Sequence, residues 1–270
     1  MTQSSIQTAA VLLAIGVVAL VLSLLARRVF PAIESANTDP WSSTLSYVAT
    51  AYGVVIGFSI VFLFGEFSDA RQAVGDEATS IGTAFEEARL FGDDAVGVQH
   101  ALLCYARAVP EFEWPALRDK ESAPEVDVAY RNIILALGDV DQPADSTFQP
   151  AAATNIFVQV GNISTARETR LVAASIQVPG LMWALLWCGG LFVLLLIFVV
   201  TLRARPVVQA VLVSLSTMFT AVMIFIVIAL STPFAAGEGR VSPRLLEETA
   251  TTMAGEMPEI ADRPCELAGS

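Results

Sequence analysis

Four windows of this chain contain no charged side chain: Met1–Ala26, Pro40–Gly65, Leu171–Leu202 and Pro206–Gly237. They run for 26, 26, 32 and 32 residues, and a helix needs only about 20 apolar residues to cross the ~30 Å hydrocarbon core of a bilayer. All four are therefore predicted to span a membrane. The other 154 positions carry every one of the 15 basic and 27 acidic residues, a charge density typical of soluble protein. Such segregation, with 54% hydrophobic residues and a mean hydropathy of +0.62, excludes both a soluble globule and a disordered chain. A net charge of −12 repels phosphate and excludes nucleic acid as a partner. The lipid bilayer is the partner that remains.

The charged remainder lies mainly in one insertion, 66–170, with 18 acids and 8 basic residues, and in a tail, 238–270, with 7 acids and 3 arginines. The predicted organisation is a first transmembrane hairpin (1–65), a helical extramembrane domain (66–170), a second hairpin (171–237) and an acidic C-terminal tail (238–270). The fold class is all-α: a polytopic membrane protein of four transmembrane helices, with an all-helical extramembrane domain between the second and third. The first window has no basic residue ahead of it and no small-residue cleavage pattern before Arg27-Arg28, so it reads as a span rather than a signal peptide.

Orientation follows from the short loops, whose Lys and Arg stay cytoplasmic. Arg27 and Arg28 follow the first span, and Arg203 and Arg205 join the third to the fourth. Both loops fall on one side of a four-span protein. Their retention in the cytoplasm places the insertion and the tail on the non-cytoplasmic side of the cell (inner or plasma) membrane. Arg71, Arg167, Arg170, Arg240 and Arg244 flank the spans on the opposite side and count against this orientation.

Within the insertion, Phe67, Ala70, Val74, Ala78, Ile81, Phe85 and Ala88 recur at steps of three and four, one buried helical stripe. No helix breaker separates it from the second span, so one helix is expected to continue out of the membrane. Asp93 or Asp94 is expected to cap a second helix running toward Leu117. A third covers 125–137, ended by Gly138. The last begins near Pro150 and carries Ile156, Val160, Ile163 and Arg167 directly into the third span. The acids are read as lying on solvated helix faces.

Tyr105, Glu113-Trp114 and Leu117 form a pattern that resembles the Y…EW..L signature of a bacterial membrane family called bestrophin-like, whose function is unknown. The surrounding order agrees: Asp76-Glu77-Ala78 in an acidic helix, Arg167 and Arg170-Leu171, Pro179 with Trp183, then Thr232-Pro233-Phe234 after the fourth span. The likeness to true bestrophins rests on Gly57-Phe58 and on Pro233-Phe234. Bestrophins are pentameric anion channels lined by their second span, with the corresponding domain in the cytoplasm. The arginine loops here give the opposite orientation, so the resemblance implies the family and not the chloride.

On the second span, Ser46, Thr50, Gly53 and Gly57 make a small, weakly polar strip, with Phe58 and Phe62 below it. Gly53 and Gly57 admit close approach of another helix. The strip is read either as a helix-packing seam or as a pore lining with an apolar constriction. Glu66, Asp69 and Asp76 stand where the helix leaves the membrane, and acids at a pore mouth attract cations.

Catalysis has little support: there is no G-x-S-x-G, no phosphate-cradling glycine loop and no H-E-x-x-H. His100 is the only histidine; it shares a helix face with Cys104, a spacing that suits a metal but reads first as an amphipathic pair. No cofactor, metal or enzymatic activity is expected. Cys104 and Cys265 fall on the same side, so one bridge is compatible with the topology, with free thiols as the expectation. No Asp, Glu, Lys or Arg lies in any span, which disfavours proton-coupled transport. The expected function is an oligomeric ion channel or permeation pathway, a homo-oligomer because four spans hardly enclose an aqueous path. The alternative is a non-transporting membrane-anchored scaffold or sensor.

Overall fold

The computed structural model describes residues 3–29, 39–140, 148–175, 178–235 and 240–267, and every regular element among them is helical. In chain order these are α1 (Gln3–Val29), α2 (Asp39–Ala88), α3 (Val96–Ala108), α4 (Trp114–Arg118), α5 (Pro124–Gly138), α6 (Phe148–Ser175), α7 (Gly180–Val200), α8 (Pro206–Leu230), α9 (Arg244–Glu256) and α10 (Pro258–Ala261). The helices long and apolar enough to cross a membrane are Ile6–Arg28, a run that begins at Trp41, Gly180–Arg203 and Pro206–Leu230. The chain divides into two compact units: Met1–Gly65 with Gln177–Thr232, and Glu66–Ile176 with Pro233–Ser270. Glu34, Gly237 and Glu238 lie outside the described residues.

The first unit turns its apolar residues outward. Leu13, Val17, Leu181 and Val207 are all more than 60% exposed on the protomer, as lipid-facing side chains must be. Lipid offers no hydrophobic drive between helices, so cohesion comes from close packing and helix-to-helix hydrogen bonds. Gly16 on α1 and Ser214 on α8 illustrate this: the serine hydroxyl donates to the Gly16 carbonyl at 2.8 Å. Tyr52 of α2 lies on Gly189 and Gly190 of α7 and donates to the Leu186 carbonyl at 3.1 Å. At the far end of α1, Arg27 donates to the carbonyls of Leu202 and Ala204, which ties together the two arginine-bearing connections.

The second unit has a conventional core. The stripe on α2 is buried as its spacing requires, from Ala70 through Ile81 and Phe85 to Ala88, with Phe67 partly buried at its start. Leu102, Leu103, Ile133, Ile156 and Ile163 complete the interior from α3, α5 and α6. Each such residue is worth about 1.5–3 kcal/mol for leaving water. Pro124 starts α5, where its missing N–H costs nothing. The acidic tail also contributes: Leu246, Ala250 and Met253 form a buried stripe on α9 at steps of four and three.

Two local expectations fail. Asp93 and Asp94 do not cap α3; they lie in a 3₁₀ turn, Arg89–Ala95, and the residue before α3 is Ala95, with no side-chain cap. Gly92, at φ 63°, bends the chain there in a conformation that suits glycine. The last helix of the insertion also stops short of the third span. α6 ends at Ser175, and α7 begins afresh at Gly180 behind Pro179 in an extended conformation. Proline lacks the N–H that would continue the ladder, and its ring disfavours helical geometry in the residue before it. Ala173 and Ala174 are buried in the core of the second unit.

Candidate functional site

A five-residue π turn, Val109–Glu113, interrupts the helical run between α3 and α4. Pro110, inside it, cannot donate to the preceding turn, which favours a wider turn over a regular one. The extra residue it accommodates rotates Glu113 back onto the face that carries Tyr105. Both are fully buried.

There they meet α2 and α6. The Tyr105 hydroxyl donates to Glu77 Oε1 at 2.6 Å. Arg170 of α6 grips the same carboxylate with two nitrogens, Nε to Oε2 at 2.9 Å and Nη2 to Oε1 at 3.0 Å. Its Nη2 also donates to Glu113 Oε2 at 2.5 Å. Arg167, one turn earlier on α6, donates from Nε to Glu113 Oε1 at 2.9 Å and pairs with Asp127 of α5 at 2.7 Å. Glu77, Glu113 and Arg170 have no exposed side-chain surface. Two arginines thus balance two buried glutamates, with the half-exposed Asp127 at the outer end.

Aromatic rings close the cluster. The Arg170 guanidinium carbon is 5.4 Å from the Trp114 ring, a cation–π distance, and Phe234 meets Trp114 edge-on at 5.6 Å. Burial alone would lower the pKa of Arg170, yet Glu77 and Glu113 more than offset it and hold the group above its usual value. Burial pushes Glu77 up, opposed by Arg170 and the Tyr105 hydroxyl. Burial, reinforced by Glu77, holds Tyr105 well above the tyrosine range, so it stays a proton donor. The cluster presents no exposed nucleophile; its chemistry is that of a lock joining α2, the π turn and α6.

Of the residues that carry the family resemblance, Glu77, Tyr105, Glu113, Trp114, Arg167, Arg170 and Phe234 therefore converge. Trp183 instead packs on the small membrane core of Ile56, Leu63, Leu186 and Val227. Pro233 is buried and accepts a hydrogen bond from Val241 N at 3.0 Å. The expectation of solvated acids fails at Glu77 and Glu113. Glu77 was legible in part, since it lies three residues after Val74 and four before Ile81 and so falls on the buried stripe. Asp127 carried no such signal.

The α2 strip occupies a different setting. Ser46, Thr50, Gly53, Gly57, Phe58 and Phe62 are all exposed on the protomer, the two phenylalanines by 73% and 58%. Among the described residues, nothing beyond the adjoining turn of α2 itself lies within 4 Å of where a Cβ on Gly53 or Gly57 would sit. The opposite face, at Ile56, Ser59 and Leu63, is buried. The hydroxyls of Ser46 and Thr50 donate back to the carbonyls of Ser42 and Ser46. Beyond the span, Glu66 is half-buried, and Asp69 and Asp76 are exposed. These two aspartates line a groove of about 620 Å³ between α2 and α6, with Gln72, Thr79, Gln159 and Asn162.

Cys104 and Cys265 form a disulfide, contrary to the expectation of free thiols. It links α3 to the segment after α10 across 161 positions of sequence. Cys188 is free and exposed.

The sequence matches the Bestrophin-like domain over residues 13–246. No curated protein matches it. A crystal structure of a bacterial bestrophin homolog from Klebsiella pneumoniae superposes with a TM-score of 0.71 at 12% identity, covering 95% of this chain and 100% of that one. A single-substitution form of that homolog gives 0.72 at 11% identity, over 90% and 98%. A crystal structure described only as a membrane protein gives 0.70 at 12% identity, over 94% and 98%. At such identities the structural likeness speaks for the fold, and the match over residues 13–246 speaks for the family: this chain belongs to the bestrophin-like family.

Proposed function

We propose that this chain is the subunit of an oligomeric, passive ion-permeation pathway arranged around α2. One observation carries the reading. The weakly polar strip and the two phenylalanines of α2 face away from the rest of their own protomer, with open space over Gly53 and Gly57. A helix that buries one face and leaves a small-residue face bare is suited to meet copies of itself, or the water they enclose. Phe58 and Phe62 then form the apolar constriction. The charge-free spans favour passive conduction over coupled transport. Glu66, Asp69 and Asp76, repeated around an axis, favour cations.

The extramembrane unit is placed away from the cytoplasm. Two features support this: the arginine loops tied together through Arg27, and the Cys104–Cys265 disulfide, which suits an oxidising compartment. Ser122 is exposed and serves as a reporter. In a Cys188→Ser background, Ser122→Cys should react with an impermeant thiol reagent on intact cells. Protection until lysis would reverse the orientation.

The decisive experiment measures oligomeric state in detergent and ion flux in liposomes on one sample. A defined oligomer that conducts supports the proposal, and Gly53→Leu and Gly57→Leu should disrupt its assembly. An oligomer without flux favours the membrane-anchored scaffold, and a monomer removes both the axis and the pore. Reversal potentials in a salt gradient should show cation preference that weakens in Glu66→Gln and Asp69→Asn. Chloride preference indifferent to those substitutions would sink the electrostatic argument.

A further inference from the structure

We propose that His100, Cys104 and Cys265 form a divalent-metal site of the zinc-binding kind when the disulfide between the two cysteines is reduced. α3 sets His100 and Cys104 one turn apart on one face, with the imidazole Nε2 3.5 Å from Cys104 Sγ. Zinc bonds of about 2.3 Å to sulfur and 2.0–2.1 Å to nitrogen, at a tetrahedral angle, separate the two ligand atoms by about 3.6 Å. The pair on α3 is thus already spaced as ligands. The three donor atoms all lie within 4.8 Å of one another.

The third ligand is held in reach without the covalent bond. Arg107 Nη1 donates to the Ala261 carbonyl at 2.9 Å, and Asn132 Nδ2 to the Glu266 carbonyl at 2.9 Å. These bonds pin the chain on both sides of Cys265, so reduction frees the sulfur but not the segment. Residues 264–267 belong to no helix, so the sulfur can shift by the ångström or two that coordination requires without breaking helical hydrogen bonds.

The chemistry balances with a dithiol as reductant. Two electrons break the S–S bond, each sulfur takes a proton, and the dithiol closes to a cyclic disulfide. Metal binding then displaces both thiol protons, neutral His100 gives its Nε2 lone pair, and water fills the fourth position. A nitrogen and two thiolates select zinc over magnesium or calcium, which prefer oxygen. The bridged and metal-bound forms exclude each other. This inference does not depend on whether the protein conducts ions.

The full chain in detergent, carrying Cys188→Ser, tests it. One portion stays oxidised; the other is reduced with a small dithiol, freed of it under nitrogen, and both are titrated with Co²⁺. The reduced form should bind one Co²⁺ per chain, with sulfur-to-cobalt charge-transfer absorption and tetrahedral d–d bands, and the oxidised form none. Cys104→Ser should lose most of the charge-transfer band, and His100→Ala should weaken binding by more than ~10-fold, since a direct ligand counts for more than the outer-shell partners whose loss costs ~10–100-fold. A second measurement needs no variant of the site: Zn²⁺ should shield both Cys104 and Cys265 of the reduced chain from alkylation, read by peptide mass. Equal Co²⁺ binding by the two redox forms, or alkylation at the same rate with and without Zn²⁺, overturns the proposal. Unchanged affinity in His100→Ala overturns the ligand set.

Discussion

In the unit of long apolar helices, Tyr52 joins α2 to α7 by lying on two glycines; in the other unit, Arg170 joins α6 to α2 by gripping a buried carboxylate. Each joint suits its solvent. Between helices in lipid there is no water to expel, and a charge costs ~2.5–3.5 kcal/mol on insertion scales, so contact is made by removing side chains until backbones approach. Next to water, a core supplies cohesion, and charges can be buried if each is matched. The geometry at Glu77, Glu113, Arg167 and Arg170 meets that condition. The two joints should therefore break in different ways.

Cutting the charged joint should do the most damage. Arg170→Ala leaves two carboxylates buried beside a single remaining arginine, and losing one partner of such a cluster costs about 3–5 kcal/mol. Thermal unfolding in detergent should record this as a large fall in Tm. A variant as stable as the parent would mean that Glu77 and Glu113 escape the penalty by protonation or exposure. Tyr105→Phe keeps the ring and deletes one hydrogen bond to a charged group, so about 1.5–3 kcal/mol is expected. The same unfolding experiment checks it, and the loss should shrink in a Glu77→Gln background.

The packed joint predicts a smaller and differently coupled effect. A Cβ at Gly189 would sit 2.8 Å from the Tyr52 ring, and overpacking of this kind costs roughly 1–3 kcal/mol. A double-mutant cycle gives the sharper readout: Gly189→Ala should cost less once Tyr52 is alanine. Additive effects would mean that the two residues do not meet. Gly53→Ala and Gly57→Ala meet nothing of the protomer beyond their own helix and should not destabilise it, with at most a gain of ~1 kcal/mol. At the weak end, Arg89 bridges Glu86 and Glu256 on the exposed surface, and Arg89→Ala should cost ~1 kcal/mol or less, diminishing with salt.

These contrasts also explain what the sequence made legible. Charge-free windows announce spans because lipid excludes charge residue by residue, and the stripe from Phe67 to Ala88 announces a buried face because helical periodicity is local. Long-range pairing leaves no such trace. Asp76 and Glu77 are adjacent acids, yet one is exposed and the other completely enclosed; the stripe puts Glu77 on the buried face, but its partners Tyr105 and Arg170 lie 28 and 93 positions away. Resemblance to a family brought Tyr105, Glu113, Trp114, Arg167 and Arg170 into view without revealing that they touch. Cys104 and Cys265 stand 161 positions apart, a separation that leaves no local sign of their proximity. An apolar window conceals where one helix ends and the next begins, and so hides the break at Pro179.

The π turn at Val109–Glu113 has a consequence for how the chain tolerates insertion and deletion. A helix advances about 100° per residue, so one surplus residue acts as a phase shift for everything downstream. Upstream of the turn, Leu102 and Tyr105 keep one phase; beyond it, Trp114 and Leu117 keep another, and both sets face the same interior. Deleting a single residue here would let the wide turn relax to a regular one and leave Trp114 facing Arg170, whereas the same deletion within α3 would turn it away by about 100°. The turn is thus the one place in this stretch where a length change of one residue is absorbed, and an alignment that puts that gap anywhere else would misplace the structure.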